Sequence, residues 1–440
     1  MSGETEQAIA QRTVTKVSWR LLPLIAVIYC VAYVDRSNIS VAQLTMGKDL
    51  GLTAYWYGLG AGIFFFSYFL FEIPSNLILE KVGARIWIAR IMITWGIISG
   101  LTAFVTGPTS FIIIRFLLGA AEAGFFPGMI LYFTYWFPAS YRGRVISTLF
   151  IAQPIANVIA TSGSGLLLEM DGILGLRGWQ WVFIIEALPA VLLAFVVLKV
   201  MTDRPALAHW LNADERNWLE SELGNERRAI ESAGHLGLWQ SLRDPRVIAL
   251  ALIYLGSVTP NYGIVFFMPQ IVKGMGMSNL MASFVSSLPY VVGIIGLAVW
   301  GWSSDRMNER RWHLIAAVTL AAAGLAIAGW SGSSYWALAG MSMATIGIYG
   351  SRTAFWPMPS IFLTGSAAAA SIAFINATGN LGGFFGPFVV GWIKDKTQSF
   401  EAGLYFLAAC ALLAGVITFF AARAAGAPQA GKDKASGRTA

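Results

Sequence analysis

The chain has 440 residues, of which 56% are hydrophobic and only 12% charged, about half the charged share of an ordinary soluble domain. A water-soluble globular fold cannot hide that much apolar surface, so the natural solvent is the bilayer. The formal charge of +7 does not point to nucleic acid, because Lys and Arg are spread between the apolar segments and do not cluster into a basic arm.

Met1 to Ser18 is polar, and the first apolar run carries Asp35 and Arg36 without a small-residue cleavage site behind it, so a removable signal peptide is not expected. From there the chain is a succession of segments of about 20 apolar residues, enough to cross a bilayer core at roughly 1.5 Å per residue. The pattern predicts an all-α membrane protein with twelve transmembrane helices in two six-helix halves. The first six spans are Leu21 to Ala42, Tyr57 to Leu79, Ile86 to Val105, Ser110 to Phe137, Val145 to Leu168 and Val182 to Val200. The second six are Ile248 to Ile271, Leu280 to Trp302, His313 to Trp330, Leu338 to Phe362, Ala367 to Ile393 and Gly403 to Ala421. Cys30 and Cys410 fall inside spans and read as free buried thiols.

Residues 1–201 then form an N-terminal half, 202–245 a cytoplasmic linker, 246–423 a C-terminal half and 424–440 a disordered tail. The linker is the only long charged stretch and carries an amphipathic helical pattern at Leu211, Trp218, Leu219 and Leu223. Of the 30 Lys and Arg, Lys48, Arg177, Lys273, Lys394 and Lys396 fall on one side, Arg36, Arg115 and Arg352 lie within spans, and the other 22 share the opposite side. The positive-inside rule places both termini and the linker in the cytoplasm, and the expected location is the cell inner membrane. The halves echo each other: Glu80, Lys81, Gly83 and Arg85 follow the second span where Gly301, Ser304, Asp305, Arg306, Arg310 and Arg311 follow the eighth, and Glu80, Arg85, Asp305 and Arg306 read as gating residues. A duplicated unit with a site at the interface of its halves is a transporter architecture.

An ionisable residue at membrane depth is costly and therefore a candidate for function. Asp35 and Arg36 in span 1, and Arg115 and Glu122 in span 4, stand out in the first half. Arg115 and Glu122 are seven residues apart, on one helical face and about 10 Å apart along the axis. Arg36 lies roughly 9 Å and Arg115 roughly 8 Å from the outer end of its span, so the two guanidinium groups are expected to share a level with Glu122 below them. Arg suits a carboxylate because its planar fork donates two parallel hydrogen bonds. Glu122 is a group that can carry a proton. The alternative reading is two internal ion pairs, Asp35 with one Arg and Glu122 with the other. Tyr33, Gln153, Arg352, Thr353, Asn376 and Asn380 are further polar candidates, whose alternative role is interhelical hydrogen bonding. His209 and Asp214 match an acyltransferase spacing but sit in the charged linker. The three histidines have no metal spacing, and no phosphate-binding glycine loop is present, so no metal, cofactor or ATP chemistry is expected.

Four runs make the chain resemble the anion:cation symporters of the major facilitator superfamily, especially their bacterial branch. They are Tyr33 to Asn38 (YVDRSN), Arg115 to Pro127 (RFLLGAAEAGFFP) with Trp136 to Arg144 (WFPASYRGR), and Asn376 to Pro387 (NATGNLGGFFGP). The resemblance implies proton-coupled uptake of a small organic anion such as tartrate, a sugar acid, phthalate or hydroxyphenylacetate, by a monomer. It implies that Arg36 and Arg115 hold the carboxylate, that Asp35 and Glu122 take protons, and that Tyr33, Gln153, Thr353 and Asn376 shape the pocket. Two departures stand out: Glu80-Lys81 replaces the usual Asp-Arg after span 2, and Arg352 adds a cation in span 10. A drug or sugar carrier or an anion exchanger of the same fold is the nearest alternative, and a non-transporting sensor or a membrane enzyme a more distant one. Span 5 lacks the Gly-Pro-rich run of proton antiporters, and no sugar-porter Pro-Glu-Ser-Pro-Arg follows span 6.

Overall fold

Backbone N–H and C=O groups find no water in a bilayer core, so a chain this apolar must satisfy them within helices. A computed structural model describes residues 3–232, 243–332, 334–359 and 365–425, and these are almost entirely helical. The elements are α1 (Gly3–Ser37), α2 (Ile39–Asp49), α3 (Ala54–Val82), α4 (Ala84–Leu101), α5 (Pro108–Glu122), α6 (Phe125–Trp136), α7 (Ala139–Leu168) and α8 (Gly178–Val200). After the linker helix α9 (Ala213–Ser232) come α10 (Pro245–Lys273), α11 (Asn279–Met307), α12 (Arg311–Trp330), α13 (Tyr335–Phe355), α14 (Gly365–Asn380), α15 (Gly382–Thr397) and α16 (Glu401–Ala425). Ten helical runs among the described residues are long and apolar enough to cross a membrane. The other two of the twelve positions are taken by α13, rich in Gly, Ser and Thr, and by the α14–α15 pair.

The helices outrun the spans expected from hydropathy, because a helix continues past the apolar core until a capping residue stops it. Thr53 caps α3, accepting from the Trp56 N–H at 3.4 Å, and Ser278 caps α11, accepting from Met281 N–H at 3.1 Å. Three spans are interrupted: α1 passes to α2 at Asn38, α5 passes to α6 through Gly124 at φ 83°, a left-handed conformation that glycine adopts without strain, and α14 passes to α15 at Leu381. Residues 233–242 of the linker, the end of span 10 and the tail from 426 lie outside the described residues.

The first six spans meet the last six through α3 on α15, α7 on α11 and α2 on α10. At the end of the bundle opposite the chain termini, here the far end, the two sets touch directly. The Tyr57 hydroxyl donates to the Phe266 carbonyl at 2.8 Å, and the Asp395 carboxylate accepts from the N–H groups of Ala54 and Tyr55, both at 3.0 Å. Between them Gly58 and Gly391 bring backbone against backbone: an added Cβ would collide with the carbonyl oxygen of Pro387 or of Ala54.

At the end that carries the termini, α9 docks on the first six spans. Glu215 accepts from Lys16 at 2.8 Å and pairs with Arg12 at 3.1 Å, Arg142 grips Glu226 with two nitrogens at 2.6 and 3.0 Å, and Trp210 stacks on Trp136. Burial alone would raise the Glu215 carboxyl, but the Lys16 hydrogen bond, the Asn212 N–H and the Arg12 charge outweigh it and hold the group below its ordinary value.

Candidate substrate site

Span 1 carries Arg36 into a cavity walled from both sets of spans. Tyr29, Tyr33, Phe65, Tyr68, Phe125, Phe126, Phe150 and Gln153 come from the first set, and Tyr254, Val258, Tyr262, Arg352, Asn376 and Asn380 from the second. Arg36 is paired with Glu122 and also donates to the Tyr262 hydroxyl at 3.3 Å. Its guanidinium lies over the rings of Tyr33 (4.9 Å), Phe64 (5.1 Å), Tyr68 (5.6 Å) and Phe65 (5.7 Å). An aromatic collar stabilises a cation through the ring quadrupoles while leaving its in-plane donors directional. On the other side Arg352 donates to the Gln153 side chain and lies over Tyr349 at 5.5 Å. The cavity thus has a cation on each wall, and each cation borrows an acceptor from the protein, as burial of a charge requires.

The structure brings Arg36, Glu122, Tyr33, Gln153, Arg352, Asn376 and Asn380 to or beside this cavity, and it sends three other candidates elsewhere. Arg115, 1% exposed, turns to span 2, where its Nε donates to the Gly60 carbonyl at 3.3 Å and its guanidinium lies against Phe64 at 4.9 Å. A shared helical face aligns the Cα atoms of Arg115 and Glu122, but α5 packs closely on α3 through Gly60 and Gly119, and the long Arg side chain follows that contact. Asp35 points to span 3 and accepts from Trp95 Nε1 at 2.7 Å and Ser99 Oγ at 3.1 Å. Of the two ion pairs in the alternative reading, that of Asp35 with an Arg is replaced by two neutral donors, while that of Glu122 with Arg36 is present. Thr353 satisfies its hydroxyl on its own helix, at Gly350 O 2.8 Å away.

The loops read as gates lie at the end carrying the termini. Glu80 and the Arg85 side chain are exposed. Arg85 contributes its backbone N–H, which donates to Asp203 Oδ1 at 2.8 Å. Asp305 pairs with Arg310 at 2.6 Å, another member of the repeat, and Arg306 lies over Trp302.

The sequence reading missed Tyr68, Tyr254 and Tyr262, because an aromatic residue in an apolar span reads equally as lipid-facing. It also passed over two acids that its own rule for ionisable residues flags. Glu72 in α3 is 5% exposed and faces Asn376 across the two sets, and Glu186 lies in α8.

Twelve spanning helices, closed on each other at one end and sharing a charged cavity between two sets of six, define a multi-pass membrane transporter and not an enzyme. The chain belongs to the Major Facilitator Superfamily, whose family model matches residues 25–387. It is 49% identical over 421 residues to an Agrobacterium vitis protein named as a candidate tartrate transporter, covering 96% of this chain and 94% of that one. A protein of Acinetobacter baumannii named as a quinolone resistance transporter is 44% identical over 404 residues, covering 92% of this chain and 93% of the relative. The fold matches the solved structure of a bacterial homologue of the human lysosomal transporter Spinster, in an inward-facing, unoccupied conformation, with a TM-score of 0.76 at 17% identity, over 93% of this chain and 97% of that one.

Proposed function

We propose that this protein is a proton-coupled symporter of the anion:cation symporter branch that takes up a small organic dicarboxylate, with tartrate the first compound to test. The observation that carries the reading is the pair of cations, Arg36 from the first set of spans and Arg352 from the second, facing one cavity. A substrate with a carboxylate at each end bridges the two sets, which gives its binding energy a direct effect on how they sit together. Each cation has a protein acceptor, and the two acceptors differ. Gln153 is neutral and yields to a substrate carboxylate, whereas Glu122 is an anion that competes with it. Protonation of Glu122 breaks its ion pair and frees the fork of Arg36, so one proton and the dianion enter together, and the two cations then face two carboxylates. The distribution of Lys and Arg supports cytoplasmic termini in an inner membrane. With that orientation the closed far end is the outer one, and the carrier rests facing inward as a monomer.

The aromatic walls favour a second reading, an aromatic monocarboxylate held by Arg36 alone, as befits a carrier related to a drug-resistance transporter. Accumulation of labelled tartrate in proteoliposomes under an inward proton gradient tests the first reading. In that assay Arg352→Gln should lose at least tenfold in preference for tartrate over a monocarboxylate of similar size. Wild-type protein that accumulates aromatic monocarboxylates and ignores tartrate supports the second reading, and wild-type protein indifferent to the proton gradient refutes the coupling.

A further inference from the structure

α4 packs antiparallel on α8, with Gly96 against Ala190 and Val191 and Gly100 against Ala187. Another side of α4 faces the bilayer: Ile86, Ile97 and Leu101 are 50%, 52% and 48% exposed. Arg90 falls on that stripe, four residues after Ile86 and seven before Ile97. It lies six residues into the helix, about 9 Å along the axis from the end that carries the termini. Ile86, nearer that end, continues the apolar surface past it, so the Arg90 backbone sits within the apolar band and not at its edge.

The Arg90 guanidinium lies 3.8 Å from the centre of the Trp87 ring, which Ser75 of α3 holds in place by accepting from its Nε1 at 3.0 Å. Nη1 donates to Thr94 Oγ1 at 3.4 Å, while Nε and Nη2 have no partner among the described residues and are open at the surface. No described carboxylate pairs with Arg90: at this end Asp203 accepts from the Arg85 N–H and Glu80 is exposed. The other cations within spans differ, since Arg36 has Glu122, Arg352 has Gln153 and Arg115 has the Gly60 carbonyl. A charge in a bilayer needs a counter-charge or acceptors. On a lipid-facing stripe, the anion within reach of a long Arg stem is a lipid phosphate.

We propose that Arg90 is the centre of a binding site for the phosphate of an anionic phospholipid, in the leaflet on the side of the termini. Flat on Trp87, the guanidinium presents Nε and Nη2, the two parallel donors that match two phosphate oxygens. The apolar stripe from Ile86 to Ile97 receives the acyl chains. The register set by Gly96 and Gly100 brings Lys199, exposed near the end of α8, within a helical turn of Arg90 in height. Two cations without an ion-pair partner among the described residues call for a net negative charge. The phosphate of phosphatidylcholine already carries its own ammonium, so the occupant is an anionic lipid and not a zwitterionic one.

Mass spectrometry of the intact protein, released from micelles holding phosphatidylglycerol and phosphatidylcholine with the same acyl chains, counts the lipid it retains. Wild-type protein should keep phosphatidylglycerol in preference, and Arg90→Gln should lower that retention at least fivefold. Arg227→Gln, which removes an exposed charge from the linker on the same side, should leave it unchanged. Arg90→Lys covers the case in which Arg90→Gln fails to fold, and should retain an intermediate amount, because a point charge does not reproduce the fork. Quenching of fluorescence by brominated lipid locates the site. The part of the quenching lost in Trp87→Phe should be larger for brominated phosphatidylglycerol than for brominated phosphatidylcholine at the same fraction. Equal retention of the two lipids by wild-type protein overturns the proposal and leaves Arg90 a cation that reaches out to water. So does an Arg90→Gln or Arg90→Lys variant that behaves like Arg227→Gln, or a Trp87 signal that does not distinguish the two brominated lipids.

Discussion

Replacing Asp395 by Asn removes the charge from a carboxylate that caps the start of α3 from the opposite set of spans. Ala54 and Tyr55 lie in the first turn, where backbone N–H groups have no partner within the helix, and both donate to Asp395 at 3.0 Å. Hydrogen bonds to a charged acceptor contribute about 1.5–3 kcal/mol each when buried. Asn keeps one acceptor oxygen, and Asp395 is half-buried, so the net loss is about 1–2 kcal/mol. Because the contact exists only while the far end is closed, the whole loss falls on that state, and the closed-to-open ratio drops roughly 5- to 30-fold. Spin labels at Lys48 and Lys396, on opposite sets at the far end, report the change by pulsed electron resonance as a second, longer distance. A wild-type distance distribution in a variant that melts at the wild-type temperature would refute the clasp.

Gly58→Ala should act in the same direction without touching a charge, because the new methyl group meets the Pro387 carbonyl. The same label pair checks it, and an unchanged distance would show that the seam can give way locally. Glu122→Gln leaves Arg36 facing a neutral group: tartrate accumulation driven by a proton gradient should fall to simple equilibration, and tartrate affinity measured by thermal shift should no longer vary with pH. Accumulation at the parent level would move the coupling role to the acids away from the cavity.

Apolar length, which is what a bilayer demands of a helix, marks ten of the spans, and the six-plus-six pattern supplied the positions of the tenth and eleventh. It did not reveal the breaks at Gly124 and Leu381, which leave the apolar run intact. Arg36 and Glu122 were legible as a site because charges in an apolar stretch demand a partner. The direction of a side chain was not legible. Asp35 adjoins Arg36 in sequence yet turns to α4, as neighbours on a helix point about 100° apart, and Arg115 shares a face with Glu122 yet spends its length on Gly60. The second cation, Arg352, was visible, but its place opposite Arg36 depends on how α13 meets α7 across the two sets, which no local pattern encodes.

The glycine seam between α3 and α15 has a kinetic consequence. Interlocked side chains would have to leave their rotamer wells before the two sets could rock, raising the activation barrier to each turnover. Backbone resting on backbone at Gly58 and Gly391 presents a smooth bearing surface with few knobs to withdraw. The resistance to opening is then concentrated in a small number of polar contacts, among them Tyr57 with Phe266 and Asp395 with α3. The speed of this carrier can therefore be tuned at residues that never meet its cargo.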